Sequence, residues 1–220
     1  MTSMLSRLAA AATLSFAMLL AGPAAAAGPV AGVDYVEIAD GAPFGSAPGQ
    51  IEVVEVFGYT CSHCASFEPK LAAWKARLPA DVSFVAVPAP FGGYWLPYAR
   101  AYYAAQAHGL VERTHADMFR ALHEQQRLPI MNATPAEIAG FYAGYGADPQ
   151  AFAATMTGAE VDAKLELARG FIRRSGVEGT PSLIVAGRYK VLGTSFEELL
   201  DTADALIARE RAAGAAVAHN

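Results

Sequence analysis

Tyr59-Thr60-Cys61-Ser62-His63-Cys64 contains both cysteines of the 220-residue chain, with two residues between them. The preceding run from Ile51 to Phe57 is β-branched and apolar over the length of a strand, and Gly58 follows it. The next segment carries apolar side chains at the spacing of one helix face: Phe67, Leu71, Trp74 and Leu78. A strand that passes directly into a helix predicts that Cys61 lies at a helix N-terminus.

The position of Cys61 predicts a reactive thiol. Unpaired N–H groups and the positive end of the helix dipole favour a thiolate there, and a protonated His63 beside it would add to this effect. Each unit by which the pKa falls is worth about 1.4 kcal/mol, which corresponds to about 30 mV in a dithiol couple. Cys64 lies one turn further into the helix, so we expect a partly covered sulfur that resolves mixed disulfides formed on Cys61.

Three other uses of a cysteine pair fit this sequence less well. A structural zinc site takes four Cys or His ligands, and the chain has no second cysteine pair. Covalent haem attachment needs CxxCH, whereas Ala65 follows Cys64. A purely structural disulfide stays open, although a bridge across so short a loop restricts the unfolded chain very little. We therefore expect a redox-active disulfide, with no metal and no cofactor.

The first 27 residues have the features of a secretory signal peptide. Arg7 precedes an apolar stretch from Leu8 to Leu20, Gly22-Pro23 breaks it, and residues 24–27 are alanines that offer cleavage sites. A membrane anchor is the alternative, but the apolar stretch is shorter than the ~20 residues that span a bilayer. We expect cleavage near residue 27 and export to an oxidising compartment, where a disulfide persists.

Charge, length and composition limit the classes of function and assembly that fit this chain. The formal net charge is −5 and no basic block occurs, so the chain lacks the electrostatic signature of nucleic-acid binding. Residues 28–220 are enough for one well-buried domain or a domain with an insertion. With no spare cysteine and no obvious apolar seam, we expect a monomer.

The order of predicted elements is a βαβ unit, a long helical segment and a final ββα unit. A second strand from Val82 to Val87 follows the cysteine helix and is expected to run parallel to the first. Helical patterns fill the chain from Trp95 to about Ser175, hairpin spacing follows from Ser182 to Val191, and a helix begins after Ser195. The predicted divisions are 28–93 (first half), 94–175 (helical insertion), 176–211 (second half) and 212–220 (a loose tail).

Several polar and aromatic residues have two interpretations each. Glu55 lies on a strand expected to be buried on both faces, which predicts a carboxylate with a raised pKa; an exposed strand end is the alternative. His108, His115 and His123 are read as solvated helix residues and not as metal ligands. Six aromatic residues are expected to form core between the subdomains, or in part to line a peptide groove: Phe91, Tyr94, Trp95, Tyr98, Tyr102 and Tyr103.

Three motifs in combination carry a family resemblance: Glu55 to Cys64 followed by Phe67-Glu68, then Val177-Glu178-Gly179-Thr180-Pro181, then Gly187-Arg188-Tyr189. Together with the element order, they resemble the DsbA family of periplasmic thiol:disulfide interchange proteins. The resemblance spans roughly residues 33–209. It implies an α/β thioredoxin fold with an inserted all-helical subdomain.

The resemblance also implies roles for individual residues. Cys61 would be the nucleophile, Cys64 the resolving thiol, and His63 a stabiliser of the thiolate. Thr180-Pro181 would form a cis peptide that faces the disulfide and presents the Thr180 backbone to an extended substrate, with Ser62 adjusting the redox poise. Without the family match, an ordinary trans proline opening a strand remains the alternative for Pro181. Glu55 would exchange a proton with the inner cysteine through water.

The leading hypothesis is a periplasmic oxidase that donates its Cys61–Cys64 disulfide to reduced exported client proteins. A membrane quinone-linked disulfide oxidase, of the DsbB kind, would reoxidise it. A disulfide isomerase or reductase is the second hypothesis, because Ser62 stands where strong oxidases usually carry proline and Thr180 resembles the isomerases. The third hypothesis is a secreted peptide-binding chaperone whose cysteines are incidental.

Overall fold

The structure is a computed structural model that describes residues 28–45 and 49–218. The predicted signal peptide, residues 1–27, lies outside the described residues. Five strands are present: β1 (Tyr35–Glu37), β2 (Ile51–Phe57), β3 (Val82–Pro88), β4 (Ser182–Val185) and β5 (Tyr189–Val191). The helices are α1 (Ser62–Lys75), α2 (Trp95–Ala107), α3 (Val111–His123), α4 (Pro135–Ala143), α5 (Pro149–Met156), α6 (Ala159–Arg174) and α7 (Phe196–Ala218).

The five strands form one mixed sheet in the order β1-β5-β4-β2-β3. β2 pairs in parallel with β3, and its other neighbour, β4, is antiparallel. This places β2 in the interior of the sheet, where every residue after Ile51 is buried. A strand with neighbours on both edges and packing on both faces favours the β-branched, apolar sequence found there.

The helical insertion predicted between the two halves is present, because α2 to α6 lie between β3 and β4 along the chain. Its apolar side chains join those of β2 and β3 in one cluster, which includes Phe57, Tyr102 and Phe152. A second cluster packs α1 and α7 against the sheet, with Trp74 at its centre. Neighbouring residues of β2 enter different clusters, Val54 the first and Val53 the second, as the alternation of a strand requires.

One sequence expectation about the C-terminus is wrong. Residues 212–220 were expected to form a loose tail, whereas α7 continues to Ala218. The physical reason is local, because residues 212–218 are mostly alanine, the residue with the highest helix propensity. An apolar face is therefore not needed to continue the helix once the preceding turns have formed.

Candidate active site

Cys61 is the N-cap of α1, as the sequence predicts. Its backbone is extended, with φ −86° and ψ 117°, and its Sγ accepts a hydrogen bond from the Cys64 N–H at 3.4 Å. Both cysteines are free thiols in this structure; Cys61 is half-buried and Cys64 is 1% exposed. The outer sulfur can therefore meet another protein, while the inner sulfur is reached only through it.

The pKa values of the two thiols are shifted in opposite directions. Hydrogen bonding by the Cys64 thiol lowers the pKa of Cys61 to about 5, with further contributions from Thr180 and the backbone N–H groups of Cys64 and His63, against a smaller opposing effect of burial. Burial raises the pKa of Cys64 above its ordinary value, and its contact with Cys61 and the nearby Glu55 act in the same direction. Cys61 is thus the thiolate and Cys64 the thiol of the reduced pair.

His63 contributes to this stabilisation through its backbone. Its N–H is among the groups that lower the pKa of Cys61, whereas its side chain is exposed to solvent. An additional stabilisation of the Cys61 thiolate by a protonated His63 imidazole remains a prediction.

The segment before β4, which contains Thr180 and Pro181, lies against Cys61. The Thr180–Pro181 peptide is cis, and the Cys61 sulfur lies 3.4 Å from the Thr180 carbonyl oxygen, to which it can donate only in its protonated form. A shallow groove of about 460 Å³ beside the thiol is lined by His63, Thr180 and Pro181 together with the start of α7, including Phe196 and Leu199. Ser62 is exposed on the same helix turn.

The strand before the cysteines is held against an aromatic side chain. A Cβ on Gly58 would lie 2.0 Å from the Trp95 ring, so only glycine allows this approach. Phe91 and Tyr94 pack on Trp95 and are 44% and 37% exposed. The other members of the predicted aromatic core, Tyr98, Tyr102 and Tyr103, are buried. The aromatic group therefore divides into a core part and an exposed part.

Glu55 is buried on β2, at 2% exposure. Desolvation, reinforced by the negative charge of Glu68, raises its pKa to about 8, although Lys75 partly opposes this. The raised pKa predicted from the sequence is therefore found. Its surroundings are more polar than the strand pattern indicated, because Glu68 and His115 lie beside it.

His115 is the clearest functional residue that the sequence analysis misread. It is 8% exposed, not solvated, and its Nδ1 lies 2.9 Å from the Tyr59 hydroxyl. The available signal was its spacing, since His115 precedes Met118 and Phe119 by three and four residues on the buried face of α3. Glu68 carried a similar signal, because it lies four residues after Cys64 on the buried face of α1.

The other two histidines are also not freely solvated. His123 Nε2 lies 2.7 Å from the carbonyl oxygen of Tyr59, and His108 Nε2 lies 3.0 Å from the Thr155 hydroxyl. Both rings are half-buried. Two histidines of α3 thus hold Tyr59, the residue two positions before Cys61.

Comparison with known proteins agrees with this geometry. A sequence profile of the family described as Thioredoxin matches residues 40–205. The thiol:disulfide interchange protein DsbA of Pseudomonas aeruginosa is 38% identical over 205 residues, covering 92% of this chain and 95% of that protein. The DsbA of Azotobacter vinelandii is 39% identical over 185 residues, covering 83% and 85%. A crystal structure of the oxidoreductase DsbA from Xylella fastidiosa superposes with a TM-score of 0.82 at 53% identity, covering 84% of this chain and 98% of that one.

These matches extend over most of the chain and confirm the predicted fold class, a thioredoxin fold with a helical insertion. The CxxC at the N-terminus of α1, with a half-buried outer sulfur of lowered pKa and a buried inner one, suits the chemistry that the relatives' name describes. The chain therefore belongs to the DsbA family of thiol:disulfide oxidoreductases.

Proposed function

We propose that this oxidoreductase works as a periplasmic oxidase, which donates a Cys61–Cys64 disulfide to reduced exported proteins. The observation that carries the proposal is the difference between the two thiols. The pKa of Cys61, about 5, reflects a stabilised thiolate. Reduction of the disulfide releases this thiolate and is therefore favoured. The same anion is a good leaving group when a mixed disulfide breaks.

Donation follows from this asymmetry in two exchanges. A client thiolate attacks Cys61 Sγ, the Sγ–Sγ bond to Cys64 breaks, and Cys64 leaves with the electron pair and takes up a proton. A second client thiolate then attacks the client sulfur of the mixed disulfide and releases Cys61 as a thiolate. The client has lost two electrons and formed a disulfide, and the protein has become a dithiol.

Reoxidation reverses the roles of the two cysteines. The Cys61 thiolate attacks a disulfide of the oxidising partner, and Cys64 then resolves that mixed disulfide after losing its proton. Because burial raises the pKa of Cys64, this step needs a base. Glu55 is the proposed base: it is buried, electrostatically coupled to Cys64, and has a pKa of about 8, so it can accept and return a proton near neutral pH.

The groove beside Cys61 is the proposed client site. The extended client backbone would lie along Thr180 and the cis Pro181, next to Ser62 and His63. His63, Thr180 and Pro181 line the groove, the Thr180 carbonyl oxygen lies 3.4 Å from the Cys61 sulfur, and Ser62 is exposed on the adjoining helix turn. The exposed Phe91 and Tyr94 lie around Trp95, which packs against Gly58, and so offer apolar contacts to an unfolded segment.

The proposed location is the periplasm, reached through cleavage of the signal peptide predicted at residues 1–27. A membrane quinone-linked disulfide oxidase is the proposed reoxidising partner, and a monomer the proposed state. Among the residues that the structure describes, no helix is both long enough and apolar enough to cross a membrane.

Redox titration of the purified chain against glutathione tests the proposal. We expect a couple more oxidising than the glutathione pool and oxidation of a reduced model protein in stoichiometric amounts. A strongly reducing couple would exclude the oxidase. Cys61→Ala should abolish activity, whereas a chaperone with incidental cysteines would retain its protection of unfolded clients.

An isomerase or reductase is the second candidate, favoured by one observation: Thr180, whose carbonyl oxygen lies 3.4 Å from the Cys61 sulfur, resembles the residue of the isomerases at this position. Thr180→Val separates the two. In an oxidase we expect the variant to retain disulfide donation, with an altered redox potential, whereas an isomerase should lose its rescue of scrambled disulfides.

A further inference from the structure

A compact group of ionisable side chains lies inside the molecule behind the cysteines. Glu55, Glu68 and His115 come from β2, α1 and α3, and one ligand atom of each lies within 4.8 Å of the other two. All three residues are buried, at 2%, 7% and 8% exposure. They are therefore far less hydrated than two carboxylates and an imidazole on a surface.

The hydrogen bonds of this group are incomplete. Within the described part of the chain, neither Glu55 Oε2 nor Glu68 Oε2 has a hydrogen-bond partner, and both atoms are sealed from solvent. His115 Nε2 is 3.5 Å from Glu68 Oε2, beyond the roughly 2.7–3.2 Å of a good hydrogen bond. A buried polar atom without a partner costs about 1–3 kcal/mol, and more if it is charged. Two such atoms facing one histidine point to a species that binds between them.

The spacing suits a metal ion. Bonds of about 2.1 Å from a tetrahedral Zn²⁺ to nitrogen and oxygen place the ligand atoms about 3.4 Å apart. The 3.5 Å between His115 Nε2 and Glu68 Oε2 matches this value. All three atoms lie within 4.8 Å of one another, so the widest pair exceeds the Zn²⁺ spacing by at most about 1.4 Å.

The histidine is oriented as a metal ligand would be. Its Nδ1 is engaged by the Tyr59 hydroxyl at 2.9 Å, which leaves Nε2 facing the Glu68 carboxylate at 3.5 Å. Metal-binding histidines regularly have such a partner on the other ring nitrogen, and its loss typically weakens metal binding 10- to 100-fold.

The group also has an entrance and a neighbouring charge. A cavity of about 560 Å³ opens to the surface beside the group and has room for a water molecule; Glu68, His115 and Lys75 are among its lining residues, and Glu55 lies behind them. Lys75 is the positive group that opposes a cation here. Its Nζ lies over the Phe84 ring at 4.8 Å, and it faces two carboxylates with a single charge.

We propose that Glu55, Glu68 and His115 form a binding site for one divalent cation of the Zn²⁺ class, with a water molecule as the fourth ligand. Imidazole nitrogen and carboxylate oxygen both bind Zn²⁺, and three protein ligands with one open position form the arrangement of Zn²⁺ sites that are not purely structural. A bound cation would occupy the carboxylate that we propose as the base for Cys64, so occupancy would slow the resolving step. The binding itself requires no redox role of the cysteines.

The test uses the oxidised full chain, because its disulfide removes both thiols as competing ligands. Co²⁺ is titrated by absorption spectroscopy and Zn²⁺ by calorimetry, with one cation expected per chain. His115→Gln and Glu68→Gln should each lower the affinity at least tenfold, and Tyr59→Phe about tenfold or more. His108→Gln removes a half-buried histidine outside the site and should leave the affinity unchanged.

A gain of affinity complements these losses. Lys75→Gln removes the opposing charge and should bind Zn²⁺ more tightly than the natural chain, a result that a damaged fold would not produce. The site is refuted if the oxidised natural chain binds no cation, if His115→Gln binds as well as His108→Gln, or if Lys75→Gln gains nothing. These binding measurements do not test disulfide donation. A strongly reducing redox potential would exclude the proposed oxidase but would not refute the cation site.

Discussion

Cys61 and Cys64 are chemically identical and three residues apart, yet their pKa values move in opposite directions. Cys61 occupies the N-cap, where N–H groups and the Cys64 thiol point at its sulfur. Cys64 sits within the first turn, where burial removes water from its sulfur. A single helix turn thus separates a thiol of lowered pKa from one of raised pKa.

Glu55 gives the molecule a pH-dependent stability that can be measured. Its pKa is raised from 4.5 to about 8, so between these values the folded state holds a proton that the unfolded state has lost. Stability contributed by the neutral acid is present below pH 4.5 and is lost as the pH rises through 8. We expect Glu55→Gln to remove this loss and to be more stable than the natural chain above pH 8, by on the order of 3–5 kcal/mol.

Chemical denaturation of the oxidised protein in EDTA, from pH 4 to 9, measures this difference without titrating thiols or bound cations. Glu160→Gln changes an exposed glutamate of α6 and serves as the matched control. Parallel stability curves for Glu55→Gln and the natural chain would contradict the burial of an ionisable Glu55.

Gly58 is constrained by contact and not by backbone conformation. Since a Cβ would lie 2.0 Å from the Trp95 ring, Gly58→Ala should displace the indole and cost about 1–3 kcal/mol of unfolding free energy. Denaturation of the variant measures the cost. The same substitution in a Trp95→Leu background should cost clearly less, because the obstructing ring is gone; an equal cost would place its origin elsewhere.

At the scale of elements, local sequence rules describe this chain well. Thr134 and Glu137 form a capping box at the start of α4, with Pro135 in its first turn: the Thr134 hydroxyl accepts from the Glu137 N–H, and the Glu137 carboxylate accepts from the Thr134 N–H. Strands β2 and β4 begin and end where the sequence predicts. These features depend on neighbours within a few residues, which the sequence displays directly.

The α4 cap provides a test at this scale. Thr134→Ala removes the hydroxyl that accepts from the Glu137 N–H, and we expect a loss of about 1 kcal/mol in unfolding free energy. Thr134→Ser keeps the hydroxyl and should remain within a few tenths of the natural value. Equal losses in both variants would show that the threonine methyl, not the cap, stabilises the helix.

At the scale of the whole molecule, the two hydrophobic clusters share one strand. Val53 and Val54 are adjacent on β2 and enter different clusters, so neither face of the sheet can lose its packing without disturbing the other. The division of the chain at residues 93/94 and 175/176 stays a prediction. The packing of α2 to α6 onto β2 and β3 favours one cooperative unit over two.

The two tryptophans make this cooperativity measurable. Trp74 belongs to the cluster under α1 and α7, and Trp95 packs against the cluster of the helical insertion. Trp95→Phe leaves Trp74 as the tryptophan, and Trp74→Phe leaves Trp95. In each variant we expect the fraction unfolded measured by tryptophan fluorescence to equal the fraction unfolded measured by circular dichroism. Fluorescence of one fluorophore that changes ahead of circular dichroism would show that the insertion unfolds separately.

The sequence by itself determined the CxxC at a helix N-terminus and the order of strands and helices along the chain, because each follows from local spacing, capping and strand composition. It left open whether Glu55 is buried or lies at an exposed strand end, and the structure shows that it is buried. Only the tertiary structure decided the meeting of Glu55, Glu68 and His115, since these residues lie on three elements and no local periodicity relates them. It likewise placed the Thr180 carbonyl against a sulfur 119 residues earlier in the chain. Such contacts depend on how the parallel strands and the inserted helices pack, and that arrangement is a property of the whole chain.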